Sequence, residues 1–238
     1  MHYESLKELI LKETSDYIFI NKPPFISTLA DRNDSVTILS LAKRYDEETQ
    51  ICHRLDKETS GVLLIAKNPD AYRNASLHFE NRTANKLYHA ISDGIHSFKN
   101  EVVDLPLHIT SSGFVKISHK RGKQAKTTFN TITAFKRHSL IACMPESGRM
   151  HQIRVHLASL NASIAGDEAY GGKPLFLSNL KNKYHLGKGK EELPIVKRFA
   201  LHARLLAIQD LAGNALSCEA PYPKDFEVAV KQLKRNKN

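Results

Sequence analysis

No stretch of the 238-residue sequence approaches the roughly 20 consecutive apolar residues that a membrane-spanning helix needs. The opening, "MHYESLKELILKETSDYIF", has acids, no basic leader region and no long apolar block, so no signal peptide is expected. Cysteine is scarce. Cys52, Cys143 and Cys218 are far apart and odd in number, which argues against a disulfide framework and for a reducing cytoplasm. Whole classes of chemistry are missing too. There is no Walker lysine, no G-x-G-x-x-G after a strand and no G-x-S-x-G elbow, so neither a nucleotide-phosphate loop nor a serine nucleophile is in view. The histidines number 12, yet no His or Cys pair has ligand spacing with a supporting carboxylate. His151 and His156 would point about 140° away from each other on a helix, whereas a zinc pair prefers a spacing of about four residues. Neither a metal nor a cofactor is expected.

Acid is the other shortage. Lysine plus arginine is 35 against 25 acids, a net charge of +10 that favours a polyanionic partner, because neutralised phosphates release counterions. A generically basic surface would give the same number. A membrane surface is the poorer partner, since no basic amphipathic helix carries a broad aromatic or leucine face. With 41% hydrophobic and 25% charged residues, the composition is that of a globular chain with ample core.

What is present alternates irregularly between helix and strand signals. "DYIFINKPP" at 16–24 predicts a strand stopped by prolines, and "SVTILSLAKRYDEE" at 35–48 an amphipathic helix with Ser35 as its cap. "GVLLIAK" predicts a central strand, "NPDAYRNASLHFEN" at 68–81 a helix with Pro69 in its first turn, and "KLYHAISDG" at 86–94 a strand of period two. Residues 108–135 predict two strands around a basic loop with Lys116, Lys120, Arg121, Lys123 and Lys126. That loop is either a solvated hairpin tip or a phosphate-contacting arm. "SLIACMPESGRMHQIRVHLASLN" passes from a strand into a helix, with Met150, Ile153, Leu157 and Leu160 on its core side and Arg149, Gln152, His156 and Ser159 on a polar side. A lysine-rich loop at 178–194, a closing strand pair and a terminal helix complete the chain. Without regular strand–helix–strand alternation, the expected class is α+β, a mixed, largely antiparallel central sheet flanked by helices, in one domain over 1–238.

By elimination the chemistry falls to a carboxylate. Asp56, in "ICHRLDKETSG" at 51–61, stands before the buried strand with Arg54 and Lys57 beside it. Positive neighbours keep a carboxylate ionised where water is excluded, and an ionised, positioned carboxylate is a nucleophile toward a sugar carbon or an electron-poor ring. An arbitrary Asp in an R-x-D string is more often a turn cap paired with its arginine. Tyr88 on its strand reads by itself as core, and Arg149 as part of a solvated helix face.

Three stretches change that balance. "HRLDKETSGVLLIAK", "KLYHAI" and "GRMHQIRVHLASLNASIAGDEAYGG" together resemble the RluA family of RNA pseudouridine synthases. The resemblance runs from "IFINKPP" to "EAPYPKDF", through "GKQAKTTF" and "LHARLLAI" in family order. An N-terminal S4 RNA-binding domain, frequent in such families, has no room before the "INKP" strand, so a stand-alone catalytic domain is expected. The resemblance implies that Asp56 is the catalytic aspartate, Tyr88 the active-site tyrosine against the target base, and Arg149 the basic residue that pairs with the aspartate. Arg54 and His53 beside the nucleophile, with Lys120, Arg121 and Lys123 of the basic loop, are the expected substrate contacts. It further implies a cytoplasmic, monomeric enzyme that isomerises uridine in structured rRNA or tRNA. Two rivals stand beside it: a carboxylate-based glycosylase that releases the base, and a non-catalytic RNA-binding or ribosome-assembly protein.

Overall fold

The computed structural model describes residues 5–30, 36–181, 184–187, 189 and 191–236. In chain order its elements are β1 (Ile10–Glu13), β2 (Tyr17–Lys22), α1 (Ile38–Tyr45), β3 (Gln50–Ile51), β4 (Ser60–Ala66), α2 (Pro69–Glu80), β5 (Asn85–Asp93) and β6 (Glu101–Asp104). There follow β7 (Leu107–Ile109), β8 (Val115–Ile117), β9 (Lys126–Ala134), β10 (His138–Pro145), α3 (Gln152–Ser159), β11 (Leu201–Gln209), β12 (Ala215–Glu219) and α4 (Lys224–Arg235). The chain divides into two compact units, one of Met1–Tyr88, Glu146–Gly148 and His202–Pro221, the other of His89–Pro145, Arg149–Leu201 and Tyr222–Asn238.

In the first unit β2 lies antiparallel to β1 and β4, and β12 antiparallel to β11. The exception is a short parallel contact of β4 with β11, pairing Ser60 with His202 and Gly61 with Ala203. The apolar runs of β2 and β4 are continuous because both faces are covered. Tyr17, Phe19, Val62, Leu64 and Ala66 pack in one cluster with Ala71 and Ala75 of α2. Ile18, Ile20, Leu63 and Ile65 pack in another with Ile38, Leu41 and Ala42 of α1. The two sets alternate along each strand, as the period of two requires. Helix α1 begins two residues later than the sequence suggests. Thr37 and Ser40 form a reciprocal capping box at 3.1 and 3.0 Å, so Thr37 is the cap, and Ser35 lies outside the described residues.

In the second unit β9 is antiparallel to β10 and to β6, and β7 pairs with β8 as a small hairpin. The class is the mixed, largely antiparallel α+β arrangement expected. Helix α3 departs from expectation. Arg149 and Met150 precede it, and the side reckoned polar is not solvated: Gln152 is 4% and His156 0% exposed. Gln152 donates from Nε2 to Lys126 O and to Thr127 Oγ1, both at 2.9 Å. His156 accepts at Nδ1 from Thr127 Oγ1 at 2.9 Å and donates from Nε2 to Leu105 O at 3.0 Å. Buried polar groups must be paired, and here the pairing fastens α3 to β9. The basic loop is also shorter than expected, because Lys116 lies in β8 and Lys126 opens β9. The lysine-rich segment at 178–194 has neither helix nor strand among its described residues, and Asn182, Lys183, Lys188 and Lys190 lie outside them.

Candidate active site

Asp56 occupies a turn held from both sides. On one side Thr28 Oγ1 donates to Leu55 O at 2.9 Å and accepts from Leu55 N at 3.2 Å, so one hydroxyl satisfies both backbone groups of the preceding residue. On the other, Lys57 O accepts from Phe25 N at 2.8 Å and from the Lys22 ammonium at 3.1 Å. Thr59 N closes the turn on Asp56 O at 3.0 Å. Lys22 is fully buried at the end of β2, and its ammonium also donates to the carbonyls of Pro23 and Ile26 at 3.0 and 2.9 Å. A buried ammonium is costly unless each proton finds an acceptor, and these three carbonyls supply them. Leu55, itself buried, anchors the turn in the α1-side cluster. The result is a half-buried carboxylate on a backbone with little freedom to drift.

Tyr88 packs against that same cluster from β5. Burial, and secondarily the negative charge of Asp56, push its phenol well above the ordinary range. The structure thus brings Asp56 and Tyr88 into one electrostatic environment, with the phenol held protonated. Two residues before Tyr88, Lys86 donates to Glu146 O at 3.2 Å and Ser147 O at 3.1 Å. Burial lowers its pKa to about 8, with the charge of Arg82 as the next cause. Lys86 therefore fastens the segment that leads to Arg149.

Arg149 belongs to the second unit and is exposed. Its backbone N donates to Gln152 Oε1 at 3.1 Å and its Nε to Gln124 O at 3.4 Å. With Arg121 and Lys123 it lines a cavity of about 280 Å3. Lys120 is exposed on the same loop as Arg121 and Lys123, and Arg54 is exposed beside the Asp56 turn. His53, expected as a substrate contact, also holds the protein's own backbone. Its Nε2 accepts from Leu64 N at 3.1 Å and its ring lies 4.7 Å from that of Phe79. Burial, and then the charge of Lys86, lower its pKa to about 3, so it is a neutral acceptor that ties the turn to β4. Among the described residues no three His, Cys, Asp or Glu side chains are grouped to hold a metal.

Sequence reasoning passed over Lys22, Thr28, Lys86 and the buried pair Ser60–His202. Lysine closing an apolar run, "YIFINK", was the available signal for the first. The others bind partners distant in sequence and left none.

Comparison with known proteins gives the family. A model of the RNA pseudouridylate synthase family matches residues 16–159, more than half of the chain. The chain is 33% identical over 229 residues to an uncharacterised RNA pseudouridine synthase of Zymomonas mobilis, covering 93% of this chain and 96% of that one. It is 33% identical over 241 residues to ribosomal large subunit pseudouridine synthase D of Pasteurella multocida, covering 97% of this chain and 72% of that one. Its fold matches that of human RNA pseudouridylate synthase domain containing 4, with a TM-score of 0.72, 24% identity and coverage of 96% and 94%. The chain belongs to the RNA pseudouridylate synthase family, in the RluA-type branch whose motifs it carries, and is an RNA pseudouridine synthase.

Proposed function

We propose that the chain isomerises a uridine of structured RNA to pseudouridine with Asp56 as its catalytic group. The target base is flipped out of its stack onto Tyr88. The N1–C1′ bond breaks, the uracil turns, C5 bonds to C1′, the C5 hydrogen leaves as a proton, and N1 gains one. Asp56 initiates this by attack at C1′, by attack at C6, or by taking the 2′ proton. No redox step enters the balance. A base inside a stack is out of reach, so extrusion comes first, and RNA loops make it cheapest. Arg149 pairs with the aspartate, and Arg54 fills the vacated place or holds a phosphate. The names of relatives such as that of Pasteurella multocida favour ribosomal over transfer RNA.

The observation that carries this reading is the Asp56 turn, clamped through Leu55 and Lys57 while its charge acts on Tyr88. A reacting group held in place converts binding energy into rate. Asp56→Asn is expected to abolish tritium release from RNA labelled at uracil C5 while RNA binding persists. Release at the wild-type rate would end the proposal, and free uracil in the products would point to a glycosylase instead.

A further inference from the structure

The hairpin of β7 and β8 stands over the cavity that holds Arg149 at its edge. The lining is aliphatic apart from His108 and the cations: Leu107 and Val115 are buried, Met150 is half-buried and packs in the same cluster, and Ile109 is 52% exposed. The edge carries three cations, Arg121, Lys123 and Arg149, and no carboxylate lines the space. An exposed aliphatic side chain and three cations lining one cavity suit a ligand with a flat apolar body and a negative charge next to it.

The cations are mounted on a fixed backbone. Leu107 and Lys123 exchange N–H···O bonds at 2.9 and 2.8 Å, and Gly122 N donates to Ser118 O at 2.8 Å. A side chain at Gly122 would begin 2.4 Å from that same carbonyl, so only glycine allows the loop to close this tightly. A loop folded this closely is a platform.

We propose that this cavity receives one unstacked base of the RNA substrate, its phosphate lying on Arg121 and Lys123, which rests on the reading of the chain as acting on RNA. Without a carboxylate the cavity performs no chemistry on the base it holds, so that base is one other than the target uridine. At about 280 Å3 the space is just below the roughly 300 Å3 at which pockets for drug-sized ligands begin, a fit for a single base. Apolar contact on a base face does not choose among bases, whereas cations on the phosphate fix the register of the strand. The cavity therefore fixes the register of the strand by holding one base and its phosphate.

The test uses the full-length Asp56→Asn protein, so that nothing turns over, with labelled Ile, Val and Met methyl groups. A short oligouridylate and an abasic oligonucleotide of equal length are titrated in turn and followed by NMR. Oligouridylate is expected to shift the methyls of Ile109, Val115 and Met150, and the abasic strand to leave them in place. Ile109→Asn is expected to weaken oligouridylate about tenfold, in the range of one base contact, while abasic affinity stays. Equal shifts from both strands, or none from either, would overturn the proposal, and the methyl readout decides even if the variant does not fold. Because the assay reads binding, its failure leaves the tritium-release test of Asp56 untouched.

Discussion

The catalytic role proposed for Asp56 rests on a turn that other residues hold in place. Thr28 and Lys22 act on the backbone of Leu55 and Lys57, and His53 acts on the backbone of β4. Tyr88 is the side chain whose hydroxyl and ring can be separated. Tyr88→Phe is expected to keep base stacking and RNA affinity but to lower the single-turnover rate, and Tyr88→Leu to lower both. If neither variant differs from wild type, Tyr88 is a core residue alone. His53 makes a prediction in pH. Its folded pKa of about 3 lies below the ordinary 6.5, so between those values the unfolded chain takes up a proton that the folded one refuses. Stability from His53 is then intact above pH 6.5 and falls on acidification by about 1.4 kcal/mol per pH unit. His53→Gln keeps an acceptor for Leu64 N but does not titrate. Urea unfolding at pH 6.5 and pH 5 should show a flatter profile for the variant by about 2 kcal/mol, and identical profiles would place the acid sensitivity elsewhere. At this scale Asp56 stood out through the family motif around it, since charge beside a buried strand reads by itself as a turn cap. The acceptor role of His53 did not, since a lone imidazole in a charged loop reveals nothing of an acceptor bond to a residue on the next strand.

The elements that were legible are those whose own pattern decides their state. β2 and β4 are apolar on both faces, and α2 has Asn68 as cap and Pro69 in its first turn. Helix α3 was misjudged because a polar side is solvated or bonded according to what stands opposite, and Thr127 lies 25 residues before Gln152. The parallel contact of β4 with β11 was equally hidden. It is fixed by Ser60 Oγ donating to His202 Nδ1 at 3.0 Å, with His202 Nε2 donating to Ala220 O at 3.2 Å. Gly61 makes the contact possible. Its φ is +115°, and an added Cβ would lie 2.1 Å from Ala203 O. A backbone neighbour cannot move aside as a flexible side chain can. Gly61→Ala is expected to destabilise by at least about 2 kcal/mol, through left-handed strain and forced separation of the strands. Because Gly61 follows the Asp56 turn closely, activity should fall further than the unfolded fraction explains. A lower urea midpoint at unchanged slope would show the first effect. A midpoint equal to wild type would show that β4 and β11 tolerate separation.

For the whole molecule the governing quantity is charge. A chain at +10 meets RNA first as a polyanion, before any base is read. Composition favoured a polyanion, and the family motifs named RNA. Where the cations gather depended on the fold, because Arg121 and Lys123 come together with Arg149 only through the closed loop after β8. Lys120, Arg121 and Lys123 are all exposed, so the simplest consequence of their charge is ionic. Each phosphate contact contributes about 0.7 to 0.9 to the slope of log affinity against log salt. Changing the three to Ala is expected to weaken RNA binding and to reduce that slope by about 2 to 3 if all three engage phosphates. Near 1 M salt, where the Debye length is about 3 Å, the variant and wild type should converge, since screening removes the term the substitution removed. A slope equal to wild type would show the loop to be a solvated tip. A reduced slope without convergence at high salt would show that these side chains also make contacts that salt does not screen.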